Sequence, residues 1–146
     1  MFEADQSRRL VLLVEDNPDD VLLIRRAFDR TGIVLNLHAV SNGDKAIAYL
    51  GGQRPYEDRS KYPVPDLVLL DIKMPGTDGF EVLSWIRHQW RLRDLCVVML
   101  TSSDAIRDVN HAYRLGANSF LVKPLDFINA RELTQCLDRV LAGRQR

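Results

Sequence analysis

Short apolar runs alternate with amphipathic stretches along most of this chain. Leu10-Val11-Leu12-Leu13-Val14 is apolar throughout, as a strand buried on both faces of a parallel sheet must be. The run stops abruptly at Glu15-Asp16. Asn17 then has the chemistry of an N-cap and Pro18 that of a first helical position. Asp19 and Asp20 suit the positive end of a helix dipole. Val21, Ile24 and Phe28 recur at helical spacing, and Gly32 marks a C-terminal stop.

Leu35 to Val40 is the second strand, and Asn42 caps a short helix whose apolar face is Ala46, Ile47 and Leu50. The polar stretch from Gly51 to Pro65 carries neither a helical nor a strand period and reads as a long loop. Pro55, Tyr56, Tyr62, Pro63 and Pro65 are expected to give it a stiff, partly aromatic surface. Loops of this length inside a compact domain are uncommon and often functional. Leu67-Val68-Leu69-Leu70 forms the third strand, ending at Asp71. After Met74-Pro75-Gly76 a helix carries Phe80, Leu83, Ile86 and Trp90 on one face. Cys96 to Leu100 is the fourth strand, ending at Thr101, and Ser103 caps a helix bearing Ile106, Val109, Ala112 and Tyr113. Ser119 to Val122 is the fifth strand, ending at Lys123-Pro124, and a last helix runs through Leu133, Leu137 and Val140.

Strict alternation of five strands and five helices predicts an α/β fold. This is a doubly wound, five-stranded parallel sheet in the order 2-1-3-4-5, the flavodoxin-like arrangement, with helices on both faces. The 146 residues fit one domain. The expected layout is a leader over Met1 to Arg9, a domain over Leu10 to Ala142, and a tail from Gly143 to Arg146.

Composition narrows the function classes. Lys plus Arg and Asp plus Glu are both 20, so the whole chain offers no net attraction to nucleic acid or an anionic membrane. Met1 to Arg9 lacks the apolar core of a signal peptide. No apolar run approaches the roughly 20 residues of a membrane span. Cys96 and Cys136 lie far apart with no CxxC, which disfavours zinc and redox motifs and fits reduced thiols packed in a cytoplasmic protein. Trp85 and Trp90 read as packing too.

The informative polar residues fall where strands end. In a parallel sheet every strand C-terminus lies on one edge, and ligands bind there at the topological switch point, here between strands one and three. Glu15, Asp16, Asp71, Thr101 and Lys123 would therefore meet in one shallow pocket. Two unit charges ~4 Å apart repel by about 4 kcal/mol at an effective dielectric near 20, so three carboxylates call for a cation. Oxygen-only ligands with room for water suit Mg²⁺ far better than Zn²⁺. His38, His88 and His111 are scattered and offer no competing metal site. Lys123 adds a compact positive charge and Thr101 a hydroxyl to hold phosphoryl oxygens, with Asp71 as nucleophile.

Four segments, VLLVEDNPDD, DLVLLDIKMPGTDGFEVL, VVMLTSS and GANSFLVKPL, resemble the hallmark segments of bacterial response-regulator receiver domains. They occur in the family's order and spacing, and the resemblance runs from about Leu10 to Ala142. It implies a CheY-like phosphoacceptor of two-component signalling, not an enzyme in its own right, although it assists its own phosphorylation and dephosphorylation. By this resemblance Asp71 is the phosphoacceptor. Asp16 ligates Mg²⁺ directly, Glu15 acts through metal-bound water, and the Lys73 backbone carbonyl completes the protein ligands. Thr101 and Lys123 contact the phosphoryl group, Lys123-Pro124 is a cis peptide, and Thr101 and Phe120 form the switch. A histidine kinase is the implied donor. The long loop, with KAIAYL before it, resembles the small receivers that serve phytochrome-type kinases. Signalling would pass through helix four, strand five and helix five, roughly Asp104 to Ala142, which also serves the family for homodimers.

Taken singly, each residue has an ordinary explanation. An acidic pair at a helix start is usually solvated, a threonine after a strand is often a turn residue, and an aromatic on a strand is usually core. Joint occurrence at four strand ends is what favours the functional reading. Asp19, Asp20 and Asp78 keep the ordinary reading of helix-start charges. A haloacid-dehalogenase-type phosphatase would need a second Asp two positions after the nucleophile, where Lys73 stands, and usually carries a cap domain. A flavodoxin-like cofactor module would need a phosphate-binding loop where Glu15-Asp16 lie. A degenerate receiver would lack a key residue, and none is missing. With only Gly143 to Arg146 after the last helix, no DNA-binding output domain is expected. The output is then a protein contact or a phosphorelay step.

Overall fold

The structure, a computed structural model, describes residues 9–102 and 106–144 apart from the side chains of Ile106 and Arg144. Its elements in chain order are β1 (Leu10–Val14), α1 (Pro18–Asp29), β2 (Asn36–Val40), α2 (Gly43–Leu50) and β3 (Leu67–Asp71). They continue as α3 (Gly79–His88), β4 (Cys96–Thr101), α4 (Ile106–Arg114), β5 (Ser119–Val122) and α5 (Phe127–Arg144). The sheet is parallel throughout, as the alternation predicts, and ordered β2-β1-β3-β4-β5, the order expected of the flavodoxin-like arrangement.

Every residue of β1, β3 and β4 is buried. The pleat sends alternate side chains to opposite faces. Leu12, Val14, Val68 and Leu70 pack against Ala46 and Leu50 of α2, Val82 and Ile86 of α3 and Ala112 of α4. Val11, Leu13, Leu67 and Leu69 pack against Ile24 and Phe28 of α1 and Leu133 and Leu137 of α5. Each such leucine contributes roughly 1.5–3 kcal/mol by leaving water, so the three central strands form a stiff platform.

The helix starts follow local chemistry. Asn17 Oδ1 accepts from the Asp19 N–H at 2.9 Å and Asn42 Oδ1 from the Lys45 N–H at 2.8 Å. Asp78 is more than a helix-start charge. It is the N-cap of α3, with Glu81 reaching back in a reciprocal capping box. The expected cap Ser103 lies outside the described residues.

Three expectations need correction. α3 ends at His88 because Gln89 turns extended, with ψ 113°, so Trp90 leaves the helix and its side chain is 76% exposed. Its ring carries the Arg91 guanidinium 5.3 Å from the centroid instead of packing in the core. Tyr113 is likewise exposed, edge-on to Phe120, while its neighbour Ala112 takes the buried position. The third concerns the long loop.

That loop does not present its tyrosines outward. Tyr56 and Tyr62 pack against the core beside buried Tyr49, with the three ring centroids 5.1–5.8 Å apart. Pro65 is buried as well. Arg59 Nη1 donates to the carbonyls of Tyr49 (2.8 Å) and Tyr62 (3.0 Å), and Nη2 to that of Leu50 (2.9 Å). The guanidinium thus satisfies terminal carbonyls of α2 and ties the loop to that helix. The Tyr49 hydroxyl lies 3.1 Å from the Pro63 carbonyl and 2.8 Å from His38 Nδ1. Its single proton goes to the carbonyl, which can only accept, so His38 Nδ1–H donates to the phenol oxygen.

Candidate functional site

Val14 lies opposite Leu70, Asp71 opposite Leu100, and Thr101 opposite Val122. The residues that close these strands therefore converge on one sheet edge. Oxygens of Glu15, Asp16 and Asp71 all lie within 4.8 Å of one another. Glu15 and Asp71 are buried and Asp16 is exposed, so the cluster has a closed floor and an open mouth.

Backbone contacts hold this geometry. The Asn17 N–H donates to Glu15 Oε2 at 3.1 Å, and the Lys73 N–H to Asp71 Oδ1 at 3.3 Å. The Ile72 N–H reaches the Leu100 carbonyl at 2.9 Å, carrying β3 onward past its last strand residue. Gly79 then brings α3 back against the same strand end. A Cβ there would sit 2.2 Å from the Asp71 carbonyl oxygen, so only glycine permits the approach.

Lys123 bridges the carboxylates. Its ammonium pairs with Glu15 Oε1, lies 3.0 Å from Asp71 Oδ2 and 3.2 Å from Asp20 Oδ2. Its own N–H bonds the Thr101 carbonyl at 2.7 Å, and the Lys123–Pro124 peptide is cis. Burial pushes the Glu15 carboxyl up to about 7, against the pull of Lys123 and of the Asn17 N–H. Burial alone would lower the Lys123 ammonium, but Glu15 and Asp71 more than reverse this and hold it above its ordinary value. The Glu15 direction thus reports chiefly burial, and the Lys123 direction reports the two carboxylates beside it. Three clustered carboxylates plus Asp20 face one lysine, which is the donor set of a hard divalent cation.

The predicted site residues Glu15, Asp16, Asp71 and Lys123 are thus brought together, and Thr101 is buried at the end of the adjoining strand. Lys73 is exposed, one residue past Ile72, with its N–H toward Asp71. Phe120 is half-buried on β5, opposite Met99 and edge-on to Tyr113 with centroids 6.1 Å apart. Asp20, read from sequence as a helix-start charge, also joins the site through Lys123. Nothing in its local sequence separates it from Asp19, because only the fold shows which of the two faces strand five.

The model of the response regulator receiver domain matches residues 11–137. The chain belongs to the response regulator receiver family. It is 38% identical over 137 residues to the probable methanogenesis regulatory protein FilR2 of Methanothrix harundinacea, covering 94% of this chain and 86% of that one. The bacteriophytochrome response regulator AtBRR has a similar structure, with TM-score 0.78 and 38% identity over 89% of this chain and 92% of that one. Response regulator Rcp1 of Synechocystis, in its Mn²⁺-bound form, matches with TM-score 0.74 and 33% identity, covering 89% and 91%. This receiver is therefore a phosphorylatable, CheY-like module of two-component signalling, a phosphoacceptor class that histidine kinases address. Receiver domains bind Mg²⁺ in an acidic pocket, and the Glu15, Asp16 and Asp71 cluster is consistent with one. Among the described residues no helix is long and apolar enough to cross a membrane.

Proposed function

We propose that Asp71 accepts a phosphoryl group from a histidine kinase in a Mg²⁺-dependent transfer, and that the receiver signals through α4, β5 and α5. The observation that carries this reading is the convergence of Lys123 on Asp71 inside a cluster of three carboxylates. Asp16 and Asp71 would hold the cation directly, Glu15 through water, and the Lys73 carbonyl would supply a further oxygen. Bound there, the cation would neutralise charge on the phosphoryl oxygens. An Asp71 carboxylate oxygen attacks phosphorus as the phosphohistidine nitrogen leaves. Lys123 and Thr101 take the equatorial oxygens, so positioning and charge compensation lower the barrier.

The output follows from neighbouring strands. Thr101 ends β4 beside β5, which carries Phe120. Drawing the Thr101 hydroxyl toward the phosphoryl group vacates space for the Phe120 ring, and a partner preferring that surface shifts the population. Tyr113, Val122, Phe127 and Ile128 are exposed apolar residues of α4, β5 and α5, which supports a homodimer or a protein target there. Similarity to AtBRR supports a phytochrome-type kinase as donor. The domain spans residues 10–142, acts in the cytoplasm and works by protein contact or phosphorelay. Incubation with a small acyl phosphate tests the transfer. Labelling should require Mg²⁺ and stop on chelation, and labelling that persists in chelator would refute the metal's part.

A further inference from the structure

One ammonium has three N–H donors, and Lys123 has three carboxylate partners: Glu15, Asp71 and Asp20. These partners are not equivalent. Glu15 and Asp71 belong to the cluster whose oxygens lie within 4.8 Å of one another, and Asp20 does not. The Glu15 and Asp71 side chains are almost fully buried, while that of Asp20, in the first turn of α1, is 32% exposed.

We propose that Asp20 is a positioning residue for Lys123, holding its ammonium at the pocket mouth when a divalent cation takes Asp71 directly and Glu15 through water. This rests on the metal-site reading above. A cation and an ammonium cannot share the same carboxylate oxygens without repulsion. A cation drawing on Asp71 directly and on Glu15 through water therefore weakens the hold of two of the three carboxylate partners that Lys123 has among the described residues. With Asp20 present the ammonium keeps one anchor beside Asp71, where arriving phosphoryl oxygens need it. Without Asp20 the ammonium has Glu15 and Asp71 alone, and it competes with the cation for both. That anchor is supplied by a helix start and not by the sheet edge.

Calorimetry with Mg²⁺ alone tests this on four proteins: the unaltered chain, Asp20→Asn, Lys123→Met and the double variant. Asp20→Asn should weaken Mg²⁺ binding about threefold to fivefold, the scale of a partly exposed ion pair. In the Lys123→Met background the same exchange should change the affinity little, because its effect runs through the lysine. Asp20→Glu, which keeps the charge, should restore most of the affinity. An equal loss in both backgrounds would show that Asp20 acts only as a distant negative charge, and would overturn the proposal. So would no loss in the single variant. If the unaltered chain fails to bind Mg²⁺, the metal-site reading itself falls and takes this inference with it. Binding by the unaltered chain without coupling between Asp20 and Lys123 removes the inference alone.

Discussion

Lys123 Nζ lies 3.0 Å from Asp71 Oδ2 across 52 residues of sequence, and the same ammonium pairs with buried Glu15. Removing it leaves two buried carboxylates without their cation. Lys123→Met should therefore destabilise the metal-free protein by about 2–3 kcal/mol, below the 3–5 kcal/mol of a fully enclosed pair because the pocket mouth is open. Mg²⁺ should recover most of that loss. Denaturant unfolding with and without Mg²⁺ checks both parts, and an unchanged midpoint in metal-free buffer would contradict them.

Gly79 carries no chemistry, yet it sets where Asp71 can be. Gly79→Ala would place a methyl 2.2 Å from the Asp71 carbonyl oxygen, and backbone would have to move. Overpacking of this kind costs about 1–3 kcal/mol, and here the displaced backbone carries the proposed phosphoacceptor. The variant should melt lower and bind Mg²⁺ more weakly. A folded Gly79→Ala protein with unaltered Mg²⁺ affinity in calorimetry would show that the strand end tolerates the shift.

Much of this site can be read from the chain because strand ends carry local signals. Leu67 to Leu70 is continuous and apolar, so the first charge after it marks the sheet edge, and the same holds for Glu15 after Val14. Asn17, Asn42 and Asp78 sit where helices start for reasons contained within four residues. What stays hidden depends on distant partners. Arg59 looks like one more loop charge until the carbonyls of Tyr49 and Leu50 appear beside its guanidinium. Trp90 keeps helical spacing with Ile86, but the helix ends before reaching it. Asp19 and Asp20 are chemically alike, and only tertiary placement directs Asp20 to Lys123.

Arg59 gives the long loop a separable test. Arg59→Met keeps much of the aliphatic stem and removes three hydrogen bonds to carbonyls. Because charged donors are lost, the cost should be about 1–3 kcal/mol, with faster amide exchange over residues 51–62. Phosphorylation should be little changed, since these carbonyls belong to α2 and the loop, not to the carboxylate cluster. Unchanged exchange in the loop would mean that the tyrosine packing holds it alone.

Tyr49 predicts the alkaline limit of the fold. Burial pushes its phenol up to about 12 from the ordinary value of 10.0. The fold therefore binds the phenolic proton more tightly than the unfolded chain does. The stability this contributes is whole below pH 10 and is lost as pH rises toward 12. Absorbance titration near 295 nm should show one late-titrating tyrosine, absent in Tyr49→Phe. That variant should also lose stability less steeply across the same window. A late phase that survives in Tyr49→Phe would assign the shift to another ring.

Intact-protein mass spectrometry after treatment with a small acyl phosphate and Mg²⁺ tests the central claim most directly. Asp71 sits where the carboxylate cluster meets Lys123, with Thr101 closing the next strand, and among the described residues no other aspartate shares that position. The unaltered chain should gain the mass of one phosphoryl group, and a folded Asp71→Asn variant should gain none. Full labelling of that variant at a comparable rate would contradict the assignment of Asp71 as the phosphoacceptor.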